Sequence, residues 1–508
     1  MCLLHWGGVA LFTLILCLGL GLRLRQYFFD RSLYQDEARL ANNVVERPLG
    51  SLLTQPLEWD QVAPPGFLAA LKGATWLLGE SPKALRFLPL VGGVLAMLLT
   101  VALARAALRQ ASARFCLVGL VCFAPGLVYY SSDCKQYSTD VAFALLVLWL
   151  GARFRAERWK SGVAALALAG SISVWCSHPG VFVLAAVGPV LWLELVVRKQ
   201  RAAAAALTAV GAFWLANLAV IYALWSQDSA HDSYLQGFWS AGFAPWPFGA
   251  WKSLGWYLDS GIHLMYVAFG RMGPIFVNSE ACFTPLNACL LVLALAGAGS
   301  LWRGNKRLAG ILSLCVVFTV VASALRLYPL RGRLILFLAP VVYLFLSGLI
   351  EWLAAHRPGS WSVVAGLGAA GLVGVALAAS MSVAWRPYNR LDIKGAIAYV
   401  QARHLPGDQV ALTPVSEPVY RFYVRQYGMQ NIPVVATLTT NYDPGVFLET
   451  LGRKGARKRT WLIAGEWRSV LRRFLRAVRR VAPTGERWHA EEWGDAYLLD
   501  FSKAGGTR

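Results

Sequence analysis

Lys83-Ala84-Leu85-Arg86-Phe87-Leu88-Pro89-Leu90-Val91-Gly92-Gly93-Val94-Leu95-Ala96-Met97-Leu98-Leu99-Thr100-Val101-Ala102-Leu103-Ala104 carries charge only at its entrance and is almost wholly apolar afterwards. As a helix it is about 33 Å long, enough to cross a hydrocarbon core of about 30 Å. Runs of this kind, bounded by charge, recur along the chain. They fall near 7–24, 83–104, 115–131, 139–153, 161–177, 180–197, 204–225, 284–302, 308–325, 334–350 and 360–384, about 11 membrane helices in all. The fourth and fifth are short, and His178-Pro179-Gly180 marks a break because proline removes a backbone donor.

The composition of the 508 residues agrees: 57% are hydrophobic, only 15% are charged, and the mean hydropathy is +0.50. A water-soluble enzyme is excluded. The first run, opening Met1-Cys2-Leu3-Leu4-His5, lacks a basic n-region and an A-x-A cleavage site, so it is expected to be a retained membrane helix. The nine cysteines lie in or beside apolar stretches and give no disulfide framework or zinc-ligand spacing.

The net charge of +21 taken alone suggests nucleic acid, but its distribution points to topology. Alternate loops hold 14 Lys and Arg against three acids, Glu157, Glu194 and Glu351, whereas the opposite loops hold 14 against 13. Short cytoplasmic loops collect positive charge. The N-terminus is therefore expected in the cytoplasm of a multi-pass plasma (inner) membrane protein, with the C-terminal domain extracytoplasmic and no nucleic-acid partner. The expected domains are 1–384, a membrane domain with external loops near 25–82 and 226–283, and 385–508. In the latter, short apolar runs alternate between strand and helix period, which reads as a small α/β domain. Helices are expected near 392–404, 418–427, 444–452 and 466–480, with strands near 409–414, 432–437, 461–464 and 496–501. No G-x-G-x-x-G fingerprint follows a strand.

Candidate chemistry gathers on the external face. Tyr34-Gln35-Asp36-Glu37-Ala38 places two carboxylates just beyond the first span. A carboxylate there serves an acceptor hydroxyl or amine as general base, although an acid at a membrane edge also simply faces water. Gln61 to Phe67 turns on Pro64-Pro65. Tyr129 to Ser138 contributes Asp133, Lys135 and Tyr137, and His178 lies on the same face. Arg331-Gly332-Arg333 puts arginines on the side that disfavours them. A guanidinium there matches two phosphate oxygens, and it also suits lipid headgroups. Trp225, Trp239, Trp246, Trp251 and Trp256 in the second loop suit an interfacial belt, with sugar stacking or a lipid groove as the alternative. The arginine-rich helix near 466–480 is amphipathic, and its Leu471, Phe474, Leu475 and Val478 are expected on the small domain's sheet.

These residues together resemble the GT-C type membrane glycosyltransferases related to protein O-mannosyltransferases and the lipid A aminoarabinose transferase. The resemblance is carried by Tyr34–Ala38, Ala63-Pro64-Pro65, Ala84–Leu90, Tyr129–Ser138, Arg331-Gly332-Arg333 with Leu338-Ala339-Pro340, and, in the tail, Asp392–Tyr399 with Leu405-Pro406-Gly407-Asp408. It implies an α-helical polytopic membrane protein with a small C-terminal extracytoplasmic α/β domain. It further implies transfer of a hexosyl or pentosyl group, with inversion, from a polyprenyl-phosphate sugar to a protein, lipid or glycan acceptor. Asp36 would be catalytic, with Glu37 beside it. Asp133 and Lys135 would border the donor's phosphate and sugar, and Arg331 or Arg333 would hold the phosphate; Tyr137 and His178, on the same face, are further substrate-binding candidates. The family pattern has glutamate and arginine where this chain has Asp133 and Lys135, and often Arg-Tyr where it has Arg333-Leu334. Some relatives hold an external divalent cation, but no ligand set for a metal is readable here. A secondary transporter, or an inactive relative that only binds lipid-linked sugar, are the rival readings. A transporter would place its charges near the bilayer midplane and repeat its halves, and neither pattern is present.

Overall fold

The computed structural model describes every residue except 1, 228–230, 247–250, 271–281, 283, 357–358, 439–440, 454–457, 467, 483, 491–493 and 502–508. Arg357, one of the 14 basic residues counted in the alternate loops, lies outside the described residues. The chain divides into two compact units. The larger holds Met1–Phe28, Leu49–Pro56 and Val62–Pro387; the smaller holds Phe29–Pro48, Leu57–Gln61 and Tyr388–Arg508.

In chain order the helices are α1 (Cys2–Phe28), α2 (Gln35–Glu46), α3 (Leu49–Thr54), α4 (Pro65–Leu78), α5 (Pro82–Ala107), α6 (Ala111–Phe123), α7 (Pro125–Tyr130), α8 (Tyr137–Arg153), α9 (Trp159–Cys176), α10 (Gly180–Val197) and α11 (Arg201–Ile221). There follow α12 (Ser233–Phe238), α13 (Trp251–Phe269), α14 (Pro285–Gly304), α15 (Lys306–Ala324), α16 (Ala339–His356) and α17 (Ser360–Trp385). Four more, α18 (Ile393–Arg403), α19 (Ser416–Tyr423), α20 (Pro444–Arg453) and α21 (Arg468–Val478), lie in the smaller unit.

Among the described residues eight helices are long and apolar enough to cross a membrane. The segments Tyr137–Arg153 and Ala156–Cys176 pass the same test as a pair bent by 104°, and Ala111–Phe123 is a shorter apolar helix. The eight, the two members of the pair and the short helix account for every run read from the sequence. The run 115–131 is broken, because Pro125 cannot donate to the turn before it and starts α7 instead. The carbonyls this frees need other donors inside the apolar bundle. Arg23 donates to Cys122 O at 2.8 Å and Val121 O at 2.9 Å, and Ser380 Oγ donates to Phe123 O at 2.6 Å. Arg23 is thus a buried structural cation, 1% exposed. Arg23→Leu orphans two carbonyls and is expected to cost about 3 kcal/mol, seen as a lower unfolding temperature in detergent. An unchanged temperature would show that the break is satisfied some other way.

The smaller unit carries a five-stranded sheet of order β2-β1-β3-β5-β4, made of β1 (Gln409–Leu412), β2 (Val434–Thr437), β3 (Arg459–Ala464), β4 (Thr484–His489) and β5 (Asp495–Asp500). Strand β1 pairs in parallel with β2 and β3, and β5 pairs antiparallel with β3 and β4. The alternation of strand side chains sends Ala411, Leu462, Ala464, Tyr497 and Leu499 to one face, where they pack with Phe447 and Leu451 of α20 and Leu471, Phe474, Leu475 and Val478 of α21. The arginine-rich helix therefore buries its apolar stripe on the sheet, as its pattern predicts. Strand β4 has no counterpart in the sequence reading; it is a polar edge strand, Thr-Gly-Glu-Arg-Trp-His, without apolar alternation. Leu405-Pro406-Gly407-Asp408 makes the turn into β1, with Gly407 at φ +92°. Buried Asp408 accepts from Arg459 Nε and Trp461 Nε1, each at 2.9 Å, which ties β1 to β3.

The opening of the first loop belongs to this smaller unit. Asn42 of α2 donates to Pro418 O at 2.9 Å, the Leu33 N–H donates to the Tyr423 hydroxyl at 3.1 Å, and Arg421 pairs with Glu46 and, at 3.0 Å, with Glu58. The segment bearing Asp36 and Glu37 is thus built into the α/β unit and is not a free loop. The eight described cysteines are unbridged thiols.

Candidate active site

The helix α2 begins where Tyr34, in extended conformation, is followed by two acids in the first turn, the end at which the helix dipole favours negative charge. Glu37 is 1% exposed and salt-bridged to Arg31 at 2.7 Å, and it accepts the Tyr34 N–H at 3.1 Å. Its carboxylate reaches back to the residue before the helix, the second half of a capping box. Asp36, one position earlier, is only partly buried. The adjacent carboxylates therefore differ in environment: Glu37 is held inside, and Asp36 stands at the surface of the unit. Arg390 lies over the Tyr34 ring at 5.5 Å.

In the larger unit the turn between α7 and α8 is unusually polar for a buried place. Asp133, Lys135 and Tyr137 are each 5% exposed, and the Lys135 N–H donates to Asp133 O at 2.6 Å, closing the turn. Helix α5 comes close here only because Gly92 and Gly93 have no side chains: a Cβ on Gly93 would lie 2.6 Å from Ser131 Cβ, and one on Gly92 2.8 Å from Thr139. Arg333 donates from Nε to the Tyr137 hydroxyl at 2.5 Å and lies 5.5 Å from its ring centroid. Tyr130 packs edge-on against Tyr137.

The arginine segment is held from the second long loop, whose helix α13 carries Asp259 and His263. Arg331 donates to Asp259 Oδ2 at 3.2 Å, and Gly332, at φ +58°, donates its N–H to His263 Nε2 at 2.9 Å. The other ring nitrogen, Nδ1, is 3.4 Å from Cys282 Sγ. Burial, reinforced by Arg331 and opposed by Asp259, pushes His263 from 6.5 down to about 4. Because the folded value lies below the ordinary one, this stabilisation is complete above pH 6.5 and is lost as pH falls towards 4. We expect the unfolding temperature to drop across that window, and His263→Gln, whose amide oxygen still accepts from Gly332, to flatten the drop. An identical pH profile in the variant would remove His263 from this role.

Of the residues read from the sequence, the structure joins Tyr137 to Arg333 directly and gathers Asp133 and Lys135 on the same turn. It gives Arg331 and Arg333 different partners. His178 sits on the connection between α9 and α10, where burial pushes its pKa down to about 4, so it is neutral at physiological pH. Asp36 and Glu37 belong to the smaller unit and the others to the larger. Of the tryptophans, Trp225 donates to Leu53 O and Trp256 donates to Ala241 O at 3.0 Å, whereas Trp246 is exposed.

Sequence reading missed three polar residues. Asp140, one turn into α8 and 4% exposed, accepts from Ser177, and its Oδ1 has no hydrogen-bond partner among the described residues. An acid inside an apolar helix was the available signal. Asp259 and His263 were hidden in a loop read only for its tryptophans. Among the described residues no three His, Cys, Asp or Glu side chains gather to hold a metal ion.

The chain is an integral, multi-pass membrane protein, a helical bundle with a small α/β unit, and its likeness to solved structures shows the GT-C fold. Among solved structures it is similar to ArnT from Cupriavidus metallidurans bound to undecaprenyl phosphate, with a TM-score of 0.53 at 13% identity over 99% of each chain. It is similar also to the apo state of that ArnT, with a TM-score of 0.51 at 13% identity over 100% of each chain. No family model matches the sequence, and no curated protein matches it.

Proposed function

We propose that this protein is a glycosyltransferase that moves a sugar from a polyprenyl-phosphate carrier to a protein, lipid or glycan acceptor on the extracytoplasmic face. The observation that carries the reading is the buried polar turn of the larger unit, where Asp133 and Lys135 accompany the Tyr137–Arg333 pair. It is supported by the fold shared with an ArnT that holds undecaprenyl phosphate. A donor already anchored in the bilayer needs no nucleotide-binding domain.

In this mechanism the acceptor O–H or N–H attacks the anomeric carbon while the bond from that carbon to the phosphate oxygen breaks. The resemblance gives the acceptor's proton to Asp36, which lies in the smaller unit. The polyprenyl phosphate leaves with the bonding electrons, and Arg333 and Lys135 stabilise the charge that develops on it. A single displacement of this kind inverts the anomeric centre. Between the two arginines the phosphate role goes to Arg333. Arg331 is committed to Asp259, and with Gly332 held by His263 it fixes the backbone from which Arg333 projects. In this reading Asp133 and Asp140 bind the sugar hydroxyls, and His178, neutral, donates or accepts a hydrogen bond there. The cytoplasmic N-terminus expected from the loop charges puts this chemistry on the outer face.

The test is purified protein in proteoliposomes given a labelled polyprenyl-phosphate sugar and a panel of membrane and periplasmic acceptors. Label appearing on an acceptor supports the reading. Solute uptake with no glycosylated product would replace it with transport.

A further inference from the structure

At the opposite end of the bundle lies a second polar site. Helix α8 starts at Tyr137 and ends at Arg153, so its two ends are about 25 Å apart. At the Arg153 end, the sharp bend into α9 and the neighbouring ends of α5, α10 and α15 border an open cavity of about 990 Å³ lined by Arg105, Arg153, Arg155, Arg158, Arg198 and Arg307, all but Arg307 exposed. Glu157 is the only acid among its lining residues.

Loop topology accounts for arginines on this face but not for six of them lining one open cavity, where like charges repel. The three acids that the sequence places on this face are already engaged. Glu157 pairs with Arg198 at 3.1 Å. Glu194 pairs with Arg198 at 3.1 Å and with Arg307 at 2.6 Å. Glu351 accepts the N–H groups of Arg109 and Gln110 at 2.9 and 2.8 Å, at the start of α6. Arg153 lies over the Trp149 ring at 4.8 Å. Arg105, Arg155 and Arg158 line the cavity with no acidic partner among the described residues. Arg105 has the C-terminal dipole of α5 to offset its charge; Arg155 and Arg158, in the bend, have none. In α10, within the last turns before Arg198, Leu193 and Val197 are 58% and 73% exposed.

We propose that this cavity binds a phosphate ester, and specifically the headgroup of an anionic membrane lipid whose chains lie along the exposed apolar residues of α10. Guanidinium groups pair phosphate oxygens bidentately, basic pockets between membrane helices suit such headgroups, and an anion relieves the repulsion among Arg105, Arg155 and Arg158. The site is independent of the sugar chemistry at the other end.

The test uses the full-length protein in mixed micelles with phosphatidylglycerol, cardiolipin or phosphatidylcholine, read by unfolding temperature and by lipid retained in native mass spectrometry. The two anionic lipids should raise the unfolding temperature and co-purify, and phosphatidylcholine should not. Arg105→Gln/Arg155→Gln/Arg158→Gln should weaken that binding about 100-fold. Arg201→Gln/Arg303→Gln, on the same face but outside the cavity, should leave it unchanged. Arg155→Gln alone serves if the triple variant does not fold. Equal stabilisation by phosphatidylcholine, or an undiminished response in the cavity variants, would overturn the proposal. Equal protection by inorganic phosphate alone would replace the lipid with a free anion.

Discussion

Asp36→Asn is expected to reduce transfer by about 10²–10⁴-fold, the range for a lost general base, with the unfolding temperature and polyprenyl-phosphate binding unchanged. The expectation follows from the role of general base proposed for Asp36. Glu37 is consumed by Arg31 and by the Tyr34 N–H, so Glu37→Gln should act first on stability, by loosening the start of α2. Asp36 is partly buried on the same turn, and an amide there keeps the shape but cannot take a proton. Activity and unfolding temperature measured in both variants separate the two acids. Transfer at wild-type rate in Asp36→Asn would remove that residue from the catalytic role.

Arg333→Gln should cost about 10²–10³-fold in kcat, comparable to losing one preorganised donor to a developing oxyanion, with weaker binding of free polyprenyl phosphate. Arg331→Gln should cost less and act mainly through stability, because its guanidinium is spent on Asp259. Tyr137→Phe removes the hydroxyl that receives Arg333 Nε and should give a partial version of the Arg333 defect. If Arg331→Gln proved the more damaging in kcat, the assignment of the two arginines would reverse.

The membrane helices were legible because a bilayer demands long apolar runs whatever they pack against. Their breaks were less so: Pro125 is visible, but that Arg23 and Ser380 satisfy the carbonyls it frees depends on contacts roughly 100 and 250 residues apart in the chain. In the tail, β1, β2, β3 and β5 announced themselves by buried apolar residues, while β4, an edge strand facing water, had no such signal. The site residues were readable as charged groups on one face. Their commitments were not, since the pairing of Arg331 with Asp259 and of Gly332 with His263 joins segments about 70 residues apart. Likewise, nothing in the local pattern of Tyr34–Ala38 tells that α2 packs within the α/β unit.

The central claim is that the sugar leaves a polyprenyl phosphate for an acceptor. The most direct measurement is the stoichiometry of a single reaction, counting polyprenyl phosphate released and sugar gained by acceptor with purified protein and doubly labelled donor. The account predicts one phosphate carrier freed for each sugar transferred, with the anomeric configuration inverted, and both products reduced together by about 10²–10⁴-fold in Asp36→Asn. Intact donor after prolonged incubation with active acceptor fractions, or carrier released without any glycosylated product, would contradict it.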